Sequence, residues 1–288
     1  MALSTDFAFE GFRIIRERPK LIAFWGMVIL FGNGLSTLLV VAMAGQALTS
    51  IQTMGTQKID PSLLATLLEQ AMPALVIGTL LNTLTSSVIT AAICRVALGE
   101  EDDRMGFLKF GMREVQLTVI GLVLLVMSIV VAVVTLMVAG LASAIVPGDD
   151  IGQKFFLGLG FVVAGGVIVW LRLRLSLNCV QSFDEKRLDL FGSFALTRGI
   201  FRPLLAGYVI STVMGLIVLL LCFKVIDAVL TLGFGGIPVP DSNTLSAFMT
   251  PPTIVYMIMV YGVTSPLVTA IWLGAPAAAY RTLRSDRR

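Results

Sequence analysis

Apolar residues run along this chain in long blocks separated by short charged segments, and the blocks are too long for strands. Six stretches, approximately 21–44, 74–98, 117–142, 155–180, 204–230 and 253–280, are each mostly apolar over 20 residues or more. At about 1.5 Å per residue, such a helix crosses a hydrocarbon core of about 30 Å. The third, LTVIGLVLLVMSIVVAVVTLMVAGLA, carries no charge at all. The pattern predicts an all-α integral membrane protein with six transmembrane helices.

The segments between the blocks recur. FAFEGFRIIRERPKLIAFWG, GFLKFGMREVQLTVIG and LFGSFALTRGIFRPLLAG each precede an apolar pair of blocks, and share two Phe three residues apart: Phe9 and Phe12, Phe107 and Phe110, Phe191 and Phe194. This predicts a single membrane domain built of three parallel repeats, about 1–100, 101–186 and 187–288, each an interfacial amphipathic helix plus a transmembrane hairpin. In the second copy, helical spacing puts Lys109, Arg113 and Gln116 on one face and Phe107, Leu108, Phe110 and Leu117 on the other. Seven residues after the first Phe come Arg16, Glu114 and Arg198. A charge on the apolar side of such a helix needs a partner or a route to water, so Glu114 is expected either to pair with Arg16 or Arg198 or to snorkel independently. Asp6 is a candidate N-cap. Pro19 and Pro203 are expected to separate interfacial helices from spans. Asp60 and Pro61 should open a short helix, SLLATLLEQ, before Pro73 begins the second span.

Composition agrees with the blocks. The 288 residues are 57% hydrophobic and 14% charged, against about 25% charged in an ordinary soluble domain. Of 21 Lys and Arg, all but Lys58, Lys154 and Lys224 fall at chain ends or in segments on the side of the N-terminus. The positive-inside rule therefore places both termini in the cytoplasm, an arrangement that requires an even number of spans. VVAMAG, with Ala42 and Ala44, resembles a signal-peptide cleavage site, but the apolar stretch before it is too long, so no cleavage is expected. The net charge of +3 offers no nucleic-acid surface, and no histidine is present. Cys94, Cys179 and Cys222 are too scattered for a zinc or disulfide framework. No catalytic constellation, metal site or cofactor motif emerges, and EEDD at 100–103 reads as a solvated loop rather than a Mg²⁺ site.

Two groups of residues could carry function. Arg16, Arg113, Arg172, Arg174, Arg198 and Arg202 are placed to bind lipid headgroups at the cytoplasmic interface, or to serve as plain topological anchors. Asn82 and Ser86, in the polar run NTLTSSVIT, together with Lys224, Asp227 and Tyr261, are candidates for a cavity or pathway. The bland alternatives are helix packing for the hydroxyls and mutual neutralisation for Lys224 and Asp227. Gly158, Gly160, Gly165 and Gly166 are spaced for close helix approach.

On FRIIRERPKLIAFWG and FDEKRLDLFGSFALTRGIF, the chain resembles bacterial, especially alphaproteobacterial, membrane proteins grouped with the glycerophosphoryl diester phosphodiesterase membrane-domain family. In that family the phosphodiesterase activity belongs to a separate domain that uses histidines, so the resemblance implies a membrane domain and no enzyme activity. It supplies no site residues. Mitochondrial carriers also have three two-span units, but their Pro-x-acidic-x-x-basic signature is missing here. Two readings of function follow. One is a non-enzymatic bacterial inner-membrane protein whose basic segments bind anionic lipid or a membrane-protein partner. The other is a small permease or lipid transporter with a polar intramembrane cavity.

Overall fold

The computed structural model describes residues 5–54, 61–99, 104–145, 150–185, 192–197 and 200–285; these are helical or in short connections, with no strand among them. A 3₁₀ turn, Thr5–Phe9, leads into α1 (Glu10–Glu17). Two long helices follow, α2 (Pro19–Met54) and α3 (Pro61–Leu98), then α4 (Met112–Ile145) and α5 (Asp150–Arg174). Short α6 (Asn178–Glu185) and α7 (Gly192–Leu196) precede α8 (Phe201–Phe234). The last span is composite: α9 (Leu245–Phe248) stands before it, and α10 (Pro251–Met257), a π-helix (Ile258–Thr264) and α11 (Ser265–Ser285) form it.

Six helical stretches among the described residues are long and apolar enough to cross a membrane: Pro19–Thr53, Ser62–Leu98, Met112–Ala142, Lys154–Glu185, Phe201–Phe234 and Pro251–Arg284. They pair as three hairpins. The first and third pack together through α2, α3 and α11, and the second is attached mainly by α4 lying on α3. Close approach is paid for with glycine: a Cβ on Gly26 would strike the Gly262 carbonyl oxygen, and one on Gly11 would strike the backbone of Ala270 and Ile271. Pro266 has no N–H to return to Gly262, and the chain widens into the π-helix directly before it.

Several local expectations need correction. No separate second interfacial helix forms. Arg104–Phe107 is a 3₁₀ turn, residues 108–110 are irregular, and Arg113, Glu114 and Gln116 belong to the first turns of α4. The reason is burial: Phe107 is driven into the core, completely buried, with a left-handed φ of 63° that is unusual for a bulky residue. Trp25 holds this turn by donating to the Gly106 carbonyl at 3.0 Å. In the third copy α7 is a single turn, and Pro203 lies inside the first turn of α8, where a missing N–H costs little. Pro73 does not begin a span but sits within α3, which runs unbroken from Pro61. Of the four α5 glycines, Gly160 meets Ala139, while a Cβ on Gly158, Gly165 or Gly166 would meet nothing.

Burial is concentrated at the end where the basic residues gather, here called the basic end. Trp25, Ile93, Phe107, Leu117, Phe183, Leu204 and Tyr280 lie in the two larger apolar clusters there. Towards the opposite end α4 leaves Val130, Val134, Met137 and Leu141 exposed, and α8 leaves Leu220, Leu221 and Leu232 exposed. An apolar surface of this extent marks contact with lipid or another protein.

Candidate functional site

The polar run of α3 is amphipathic in its own right. Thr79, Asn82, Thr83, Ser86, Ser87 and Thr90 recur at spacings of three and four, so they form a stripe on the helix. Thr83, Ser87 and Thr90 donate their hydroxyl protons back to the carbonyls of Thr79, Thr83 and Ser86 at 2.7–2.8 Å. Their lone pairs stay available. The side chains of Asn82 and Ser86 are exposed and hydrogen-bond to no described residue, so they keep their donors.

This stripe is one wall of a cavity of about 400 Å³, with Leu117, Gly121 and Leu124 of α4 opposite and Leu273 and Pro276 of α11 alongside. Arg172, at the end of α5, and Ser176, in the following turn, also line it. A second cavity, about 450 Å³, lies between α5 and α8. Ile168, Val169, Leu205, Val209 and Trp272 make it mainly apolar. Arg172, Ser176 and Pro276 line both cavities. Pro276 cannot donate to the Trp272 carbonyl, which therefore loses its usual helical partner near this junction. Tyr208 donates to the Ser176 hydroxyl at 2.8 Å and fixes the turn.

Arg172 is exposed and has no hydrogen-bond or ion-pair partner among the described residues. Arg174, two residues on, faces a different environment. Its guanidinium lies 5.6–6.0 Å from the ring centres of Trp170, Phe194 and Phe201 and donates to the Thr197 hydroxyl at 3.3 Å. Cation–π contact and burial thus hold Arg174 within the protein. Its Nε is buried without a partner.

The remaining candidate arginines are dispersed. Arg113 stacks over the Phe183 ring, 5.0 Å from its centre, on the side of α4 that meets α6. Arg16 and Arg202 are exposed at the basic end, and Arg198 lies outside the described residues. Arg16 lines a third cavity, about 570 Å³, beside Glu10, Arg13 and Arg281. There one carboxylate oxygen of Glu10 is shared by Arg13 at 2.6 Å and Arg281 at 3.3 Å.

Glu114 does not pair with Arg16, and Arg198 lies outside the described residues. Glu114 accepts from Arg95, and both side chains are buried. Arg95 also donates to the Phe107 carbonyl at 2.8 Å and stands 5.3 Å from the Phe183 ring centre. Sequence reasoning counted Arg95 as a boundary charge and missed this role. The available signal was its position inside the apolar run AAICRVAL, before α3 ends, with one carboxylate at the start of the facing helix.

The proposed pathway residues do not converge. Lys224 is exposed, Asp227 is half-buried three residues on, and no ion pair joins them. Neither lines the cavities described here. Tyr261, in the π-helix, shares a hydrogen bond with the Thr37 hydroxyl at 3.0 Å and so ties the last span to α2, apart from the α3 stripe. No family model, curated protein or solved structure matches this chain.

Proposed function

We propose that this is a non-enzymatic, multi-pass protein of the bacterial inner membrane, with both termini cytoplasmic, that binds the headgroup of an anionic lipid at Arg172. One observation carries the reading: Arg172 is a guanidinium without a hydrogen-bond or ion-pair partner among the described residues, at the junction of a hydroxyl-lined and an apolar cavity. A planar guanidinium offers paired donors to a phosphate, and a phospholipid supplies both the phosphate and the chains that an apolar cavity accepts. The other arginines examined as headgroup ligands are held by rings, as Arg113 and Arg174 are, or stand dispersed at the basic end, as Arg16 and Arg202 do. Organisation as three two-span units belongs to the same reading. It is supported by a short helical segment ahead of each hairpin, at 5–17, 104–107 and 192–196.

The test is native mass spectrometry of the chain with phosphatidylglycerol against phosphatidylcholine. Arg172→Ala is expected to lower phosphatidylglycerol retention about fivefold, the equivalent of about 1 kcal/mol for one basic residue near the membrane surface. Lys224→Gln, remote from the cavities, should retain it. Equal retention of both lipids by the unaltered chain, or of phosphatidylglycerol by Arg172→Ala, contradicts the proposal.

A further inference from the structure

The lipid reading leaves the length of the α3 stripe unexplained. One headgroup at Arg172 needs a few donors near the basic end, yet hydroxyl and amide groups continue along α3 from Thr90 to Thr79. The eleven helical steps between them rise about 16 Å, more than half of a hydrocarbon core of about 30 Å. Packing does not account for polar groups over that distance at Asn82 and Ser86, whose side chains are exposed and unbonded among the described residues. Beyond Thr79, the same helix carries Pro73, whose missing N–H leaves the Glu69 carbonyl without its helical donor. Exposed Gln70 and Glu69 follow towards the opposite end.

We infer that the stripe is a headgroup track, and that the protein lets anionic phospholipid cross between leaflets without an energy source. This rests on the proposed lipid site at Arg172 and adds movement to it. The barrier to spontaneous crossing is the cost of taking a phosphate and its hydration into hydrocarbon. Donors at Arg172, Ser86 and Asn82 replace part of the phosphate's hydration along the way, and the free lone pairs of Thr83, Ser87 and Thr90 accept from the glycerol hydroxyls of the headgroup. The chains need no such help. They stay in the bilayer or in the apolar cavity between α5 and α8, whose lining from Ile168 to Trp272 suits them. No bond is made or broken, and net flow follows the lipid gradient alone.

The experiment reconstitutes the full chain into phosphatidylcholine vesicles containing chain-labelled fluorescent phosphatidylglycerol, and adds dithionite from outside. Protein-containing vesicles should lose the inner-leaflet fluorescence as well as the outer, while a soluble dye trapped inside is preserved. Ser86→Leu and Asn82→Leu should each slow the inner-leaflet loss about tenfold, a barrier change of about 1.4 kcal/mol. Val134→Leu, on the exposed face of α4, should not. Protection of the inner leaflet by the folded chain, or full speed in the Asn82→Leu, Ser86→Leu double variant, overturns the inference. If phosphatidylglycerol still binds through Arg172 in that case, the track fails and the binding site stands.

Discussion

The two ends of the bundle spend their polar groups differently. At the basic end the charged side chains are largely committed to the protein. Arg95 is shared between Glu114 and the Phe107 carbonyl, Glu10 between Arg13 and Arg281, and Asp184 between Arg284 at 3.0 Å and the Tyr280 hydroxyl at 3.1 Å. These links join α1, α3, α4, α6 and α11, elements far apart in sequence. Towards the opposite end α4 and α8 present apolar faces, and the hydroxyl stripe of α3 that leads that way from Arg172 is left open. Ion pairing therefore ties the helices together at the basic end, while the stripe that leads away from it keeps polar groups free to bind.

The comparison can be broken most forcefully at the Arg95–Glu114 pair. Removing one partner strands a buried charge, which typically costs about 3–5 kcal/mol. Glu114→Ala should accordingly abolish or sharply lower the thermal unfolding midpoint in detergent, and Glu114→Arg should do so at least as strongly. An unchanged midpoint for either would deny that this end is locked. Next in size is Gly26→Val, whose side chain would meet the Gly262 backbone; overpacking of this kind costs about 1–3 kcal/mol. The same assay should show a clear but smaller drop. The smallest effect is expected at the other end. Val134→Ala on α4 alters an exposed position and should shift stability by less than about 0.5 kcal/mol. A large loss there would mean that a partner or second copy covers this face.

Much of the architecture was legible from the blocks of apolar sequence, because a helix able to cross a bilayer has to be long and apolar over its whole length. The polar run on α3 was legible too, and Arg172 was among the arginines expected at the headgroups. Pairings were not. Helical spacing around Phe107 is amphipathic, but a spacing argument treats every aromatic residue as a surface anchor. The core took Phe107 instead and unwound the helix expected there. Glu114 was expected to pair with Arg16 or Arg198 or to snorkel independently, whereas the start of α4 brings it to Arg95. Lys224 and Asp227 are three residues apart on α8, which permits a bond without requiring one. Arg172 and Arg174 look alike in sequence. Only the fold shows that aromatic rings surround one and leave the other open.

The central claim is that the locked basic end and the turn around Asn243 at the opposite end stand on two sides of a membrane. Single cysteines at Glu17 and Asn243, both exposed, test it in a chain whose Cys94, Cys179 and Cys222 have been replaced. An impermeant maleimide applied to intact bacteria should label Asn243→Cys, and should reach Glu17→Cys only after permeabilisation. Labelling of both from the same side would contradict the account.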